Sequence, residues 1–213
     1  GGSFWRSIRL AFIVMVTTVI VSVAAGLAFR QRFKGSTFVF YLSVASLIVP
    51  SILISLGIGL MFNILDWDTN WYSSAFGAHL TWTLPFGLLI MFAVFNRFNK
   101  AYEEAARDLG ASPVQTLRYV VLPIIAPSLI GVALFGFTLS YDEFARTLMT
   151  SGSFNTLPLE IYGMTTNVTT PVLYALGSLT TAFSFTIVAL CLVTSLILQR
   201  RRKRHGSDAG QGV

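Results

Sequence analysis

The sequence predicts an all-α polytopic membrane protein, with five transmembrane helices and a short cytoplasmic helix inserted between the third and the fourth. Three observations carry that expectation. The chain of 213 residues is 54% hydrophobic and only 11% charged, whereas soluble domains carry about 25% charged residues. Its mean hydropathy is +0.70. Its charges are gathered into short segments, leaving five long stretches without Asp, Glu, Lys or Arg.

Those stretches are Leu10 to Phe29, Gly35 to Leu65, Thr69 to Asn96, Tyr119 to Tyr141 and Ile161 to Gln199. A helix needs about 20 mostly apolar residues to cross the hydrocarbon core. Unpaired backbone groups cannot stay in lipid, so each stretch is read as a helix and not an open strand. The last opens with a polar, Pro-containing part that reads as an external loop, and its span is placed from near Tyr174. Pro50 and Pro85 free backbone carbonyls inside their spans and can kink them. Gly57 and Gly59 allow a close approach or a bend. Residues 1–199 are thus the membrane domain, and the basic segment 200–213 is expected to be a disordered cytoplasmic tail.

Twelve of the 15 basic residues fall in alternate connections: Arg30, Arg32 and Lys34; Arg97, Lys100, Arg107 and Arg118; and Arg200 to Arg204. The positive-inside rule makes those connections cytoplasmic. The pI of 9.8 therefore reflects membrane topology, and no nucleic-acid partner is expected. Five spans with an internal C-terminus place the N-terminus outside. Because "GGSFWRSIRL" has neither an initiator Met nor a signal-peptide core, an upstream span or a processing event is expected. Cys191 is a lone cysteine, so it forms no intrachain disulfide. His79 and His205 are too isolated in sequence for a metal site, and His79 is placed at the outer end of a span. Trp67, Trp71 and Trp82 are assigned to an interfacial belt. Asp66 and Asp68 are assigned to an external turn.

The segment "RFNKAYEEAARDLGASPVQTLRYVVLP", ending at residue 123, interrupts this pattern. Good helix formers run up to Gly110, which suits the left-handed position after a helix end. Ser112 and Pro113 fit the N-cap and first position of a second helix. Pro123 allows a break where the chain re-enters the membrane. Ala105 and Ala106 carry little side-chain bulk, so another protein could approach the backbone, and Glu104 adds a charge to that contact.

Glu104, Ala105, Ala106, then Gly110, then Val120, Leu122 and Pro123 resemble the EAA loop of the membrane subunits of ATP-binding-cassette importers. The departure from that pattern is Val120 in place of Ile. The resemblance extends through nearly the whole chain and implies a core of six spans, the first lying upstream of this sequence. It implies that Glu104, Ala105, Ala106, Gly110, Leu122 and Pro123 form a coupling helix and its re-entry, seated on a cytoplasmic ATPase dimer that binds ATP-Mg. The other implied partners are a second, similar permease subunit and a periplasmic solute-binding protein, at a bacterial inner membrane. The sequence contains no GxxxxGK[ST] phosphate loop, so no cofactor is expected on this chain and hydrolysis is assigned to the partner.

Residues 137 to 164, "FTLSYDEFARTLMTSGSFNTLPLEIYGM", resemble the subgroup that handles spermidine and putrescine. Related permeases for opines, iron and other small solutes share much of this pattern. Asp142 and Glu143 would suit a cationic substrate beside an aqueous path, with Tyr141, Phe137 and Phe144 as further candidates. The alternative is that the acids anchor the span at the outer interface, with Arg146 pairing Asp142 at i,i+4. Other classes lack their signatures. A Ser-His intramembrane protease would have to join His79 with Ser55 or Ser178, neither in a GxSxG context. A zinc protease would need HExxH, and a secondary transporter would be supported by an inverted repeat; none is present.

Overall fold

The computed structural model describes residues 2–31, 33–167 and 171–204. Among them the chain is helical: α1 (Gly2–Phe29), α2 (Ser36–Ala45), α3 (Ser51–Ile64), α4 (Ser74–Arg97), α5 (Ala101–Asp108), α6 (Pro113–Thr116), α7 (Leu122–Tyr141), α8 (Leu157–Asn167) and α9 (Pro171–Arg204). A π-helical turn, Leu117–Val121, joins α6 to α7. Four helical segments are long and apolar enough to cross a membrane: Gly2–Phe29, Ser74–Arg97, Pro113–Tyr141 and Pro171–Ile197.

The packed centre is made by α1, α4 and α7. The buried stripe of α1 comprises Ser7, Leu10, Ala11, Val14, Thr18, Ser22 and Gly26, mostly small residues repeating every three or four positions on one face. Lipid does not drive helices together as water does, so close backbone contact and interhelical hydrogen bonds matter more. Both occur here. A Cβ on Gly136 of α7 would lie 3.2 Å from the Met15 backbone, and the Thr18 hydroxyl donates to the Thr83 hydroxyl of α4 at 3.0 Å. Towards the end that carries Arg30 and Lys100, Met91, Phe95, Val121, Ile125 and Val132 form an apolar cluster.

Several elements differ from the sequence expectation, each for a local reason. The second apolar stretch is not a single kinked span. It is divided into α2 and α3, with turns between Ser46 and Pro50, because Pro50 has no N–H and disfavours helix in the residue before it. Gly59 packs on the Met149 backbone, but Gly57 faces open space. Pro123 does not break the chain: the wider π turn passes directly into α7. Residues Leu157–Asn167, expected as loop, form α8, and the described part of the last span starts at Pro171, within one turn of Tyr174. That helix continues through Arg204, since Arg and Lys are good helix formers and cations suit a helix C-terminus. Arg32, His205 and the tail 205–213 lie outside the described residues.

Candidate functional site: a projecting helical turn and a buried outer loop

α5 and α6 make a compact helix–turn–helix that stands off the bundle. Gly110 closes α5 at φ 83°. Its N–H donates to the Arg107 carbonyl at 2.8 Å, and the Ala111 N–H donates to the Ala106 carbonyl at 3.0 Å. Together these form the paired bonds of a Schellman end. Ser112 then caps α6: its hydroxyl accepts from the Gln115 N–H at 3.3 Å, while the Ser112 N–H donates to Gln115 Oε1 at 2.7 Å. This reciprocal capping box needs Gln115, which completes the S-x-x-Q pattern that begins at Ser112.

None of the α5 residues is buried. Glu104, Ala105 and Gly110 are exposed and Ala106 is half-buried. Around the turn stand Leu109, 90% exposed, with Val114 and Tyr119, both mostly exposed, three positions that no motif in the sequence marks. Leu122 and Pro123 lie apart from that face. Leu122 packs against the Met91–Phe95 cluster, and Pro123 sits in the first turn of α7.

Of the consecutive glutamates, Glu103 turns inward. Its carboxylate receives two hydrogen bonds from Arg30, Nη1 to Oε1 at 2.9 Å and Nη2 to Oε2 at 2.7 Å. That fork geometry is the strong, oriented form of an Arg–carboxylate pair. The hydrogen bond from Arg30, reinforced by the charges of Arg30, Arg107 and Lys100, holds the Glu103 carboxyl below the usual range against the opposing effect of burial. Between this pair, α6 and the π turn lies a cavity of about 470 Å³.

At the other end of α7 the structure separates the three candidate path residues. Asp142 is exposed and borders two cavities, of about 460 and 230 Å³. Glu143 is buried and bonds within its own loop, to the Arg146 N–H at 2.9 Å and to Nη1 at 3.3 Å. The partner of Arg146 is therefore Glu143 and not Asp142, because residues 142–146 leave the helical path expected for an i,i+4 pair. Tyr141 is buried between Phe137 and Phe183, with its hydroxyl unpartnered. Phe144 packs on Tyr162.

Arg146 organises this loop. It is 2% exposed, donates to Ser51 Oγ at 2.7 Å and Thr81 Oγ1 at 3.2 Å, and lies 4.5 Å from the centre of the Trp82 ring. Trp82 thus forms a floor beneath a buried cation. Ser55 Oγ donates to the Arg146 carbonyl and accepts from the Met149 N–H; Ser74 Oγ donates to the Thr150 carbonyl. From α1, Arg6 donates to the Asn155 carbonyl and Ser7 Oγ accepts from the Leu157 N–H.

His79, in the second turn of α4 and so near the span end where it was expected, belongs to the same network and is fully buried. Thr147 Oγ1 donates to the Glu143 carbonyl at 2.7 Å, so it accepts from His79 Nε2 at 2.8 Å. His79 Nδ1 then accepts from Ser140 Oγ at 2.7 Å. Both ring nitrogens are satisfied in a neutral imidazole. The serines considered for a protease bond elsewhere: Ser55 to the loop, and Ser178 to the Tyr174 carbonyl.

Residues 9–204 match the family described as the inner membrane component of binding-protein-dependent transport systems. The chain belongs to this family. It is a membrane component of ATP-binding-cassette importers and a multi-pass inner membrane protein. The chain is 30% identical over 198 residues to the spermidine/putrescine transport system permease protein PotC of Shigella flexneri, covering 92% of this chain and 74% of that one. It is also 30% identical to PotC of Haemophilus influenzae, covering 87% and 72%. Against the trehalose/maltose permease protein MalG of Thermococcus litoralis it is 33% identical, covering 68% and 52%. Among solved structures, an inward facing form of the MetNI methionine ABC transporter aligns with a TM-score of 0.70 at 18% identity, covering 91% of this chain and 93% of that one. At that identity the likeness is one of fold.

Proposed function

We propose that this permease subunit forms the path for a small cationic solute, a polyamine such as putrescine or spermidine, and that the α5–α6 turn is its joint with a cytoplasmic ATPase. The observation that carries the joint is the exposure pattern: Glu104, Ala105, Leu109 and Gly110 face outward on a rigidly capped turn at the basic end of the bundle. An apolar tip such as Leu109, ringed by charges, is what a protein partner covers. ATP-Mg binds the ATPase partner, and this chain acts as a mechanical element. A second permease subunit of similar sequence and a periplasmic binding protein complete the assembly.

The solute reading is supported by the two polyamine permeases, which match over 87% or more of this chain, against 68% for the sugar permease. It is also supported by Asp142, an exposed carboxylate between two cavities. Glu143 and Tyr141 support it only by shaping the loop. The test is solute-stimulated ATPase activity of the reconstituted complex with its binding protein, using putrescine, spermidine and an opine. Stimulation by the polyamines, lost in Glu104→Lys and in Gly110→Pro while the complex stays assembled, is the expected result. Stimulation by the opine alone would sink the polyamine assignment, and full stimulation in both variants would sink the joint.

A further inference from the structure

We propose that the Arg30–Glu103 ion pair is the strut through which displacement of α5 reaches α1, which makes both of them positioning residues for coupling. This rests on the reading of α5 as the ATPase joint. With no buried residue of its own, α5 lacks the buried stripe that α1, α4 and α7 have. Behind it lies the 470 Å³ cavity, bordered by Lys100, Glu103, Arg107, Thr116 and Leu117, which leaves room for α5 to tilt. The forked pair, at 2.7 and 2.9 Å, forms one wall of that space and ties α5 to the end of α1 beside it. Two parallel bonds fix direction as well as distance, so this contact transmits rotation where a single bond would swivel.

The α1 side of the pair is held firmly. The Arg30 guanidinium lies 5.2 Å from the Phe95 ring centre and 5.3 Å from that of Phe98. Phe95 fills the space against Gly26, where a Cβ would lie 2.8 Å from its ring. Guanidinium, α4 end and α1 end are therefore one packed unit. α1 then runs 28 residues to its other end, where Ser7 and Arg6 bond the backbone of the loop beside α8. A continuous helix joins the projecting turn to the buried loop. This is a contiguous physical connection of the kind that can carry energetic coupling.

The experiment uses the assembled complex with the permease in a Cys191→Ser background and spin labels at Phe12 of α1 and Leu179 of α9, both exposed. Distances are measured before and after ATP. The expected result is an ATP-driven change in the unmodified sequence, its loss in Glu103→Gln and Arg30→Gln, and its return in the exchanged double variant Arg30→Glu/Glu103→Arg. Glu103→Gln keeps the side-chain shape and decides alone where Arg30→Gln fails to assemble. An unchanged response in the single variants overturns the strut. So does a loss that the exchange does not restore, or a starting protein whose label distance ignores ATP. Glu104→Lys, measured alongside, separates the two ideas: a normal response there removes the joint itself, whereas a loss there with a normal Glu103→Gln removes only the strut.

Discussion

At one end of α7 the chain stands off the bundle in α5 and its turn, without a buried residue in that helix; at the other, residues 142–156 are drawn into it, with Glu143, Arg146, Thr147, Thr150, Ser151 and Thr156 all buried. The two segments solve the problem of backbone hydrogen bonding differently. The projecting turn satisfies its helix ends within itself, through the Gly110 closure and the Ser112–Gln115 box. Its outer surface is exposed. The buried loop borrows side chains from α1, α3 and α4, because a buried polar group without a partner is costly. The first segment is tied to the bundle by its π-turn junction and the Arg30–Glu103 pair, the second by side chains of three helices.

The largest effect is expected where the buried loop is deprived of its cation. Arg146→Met leaves Glu143 buried without a counter-charge, and breaking such a pair costs about 3–5 kcal/mol. The permease in detergent should melt well below the unmodified protein, and adding Glu143→Gln should return part of the loss. Equal melting temperatures for the original and Arg146→Met would remove the network's structural role. Between the two ends, Gly136→Val forces a side chain against the Met15 backbone. Overpacking of this kind costs about 1–3 kcal/mol, again read as a lower melting temperature.

At the projecting end the effects are smaller and local. Ser112→Ala removes the α6 cap, a loss of about 1 kcal/mol. Hydrogen exchange should quicken at the Gln115 and Thr116 amides while the α1 amides stay unchanged; matching increases at both would contradict the independence of the turn. The smallest effect is one of pH. The depressed Glu103 carboxyl contributes fully above the ordinary carboxylate range near about 4.3, and its contribution is lost as pH falls through the lower folded value. A spin label at Leu109 should keep its mobility from neutral pH down to that range and loosen only below it. Loosening at neutral pH would show that Glu103 does not hold α5.

Much of the projecting turn was legible in the sequence because short-range chemistry dictates it. Gly110 and the Ser112–Pro113 pair stand for one backbone conformation each, and both take it. The choice between Glu103 and Glu104 was not legible. Adjacent residues on a helix point about 100° apart, and only the position of Arg30, 73 residues earlier, decides which faces inward. The buried loop was nearly opaque for the same reason. Arg146 bonds Ser51 and Thr81, and His79 bonds Ser140 and Thr147, all across distances that no local pattern records. The long spans were read from composition, but the division of the second at Pro50 was expected only as a kink. The signal was present in Pro50 itself, which stands at the N-cap of α3.

The most direct test of the central claim, that the α5–α6 turn docks an ATPase, is site-specific cross-linking in the assembled complex. Single cysteines replace Glu104, Leu109 or Phe154 in a Cys191→Ser background. Leu109 and Phe154 are both exposed, but they lie on opposite loops of the bundle. Cross-links to the ATPase are expected from positions 104 and 109 and none from 154. Cross-links from 154, or none from 104 and 109 in a complex that still hydrolyses ATP, would contradict that claim.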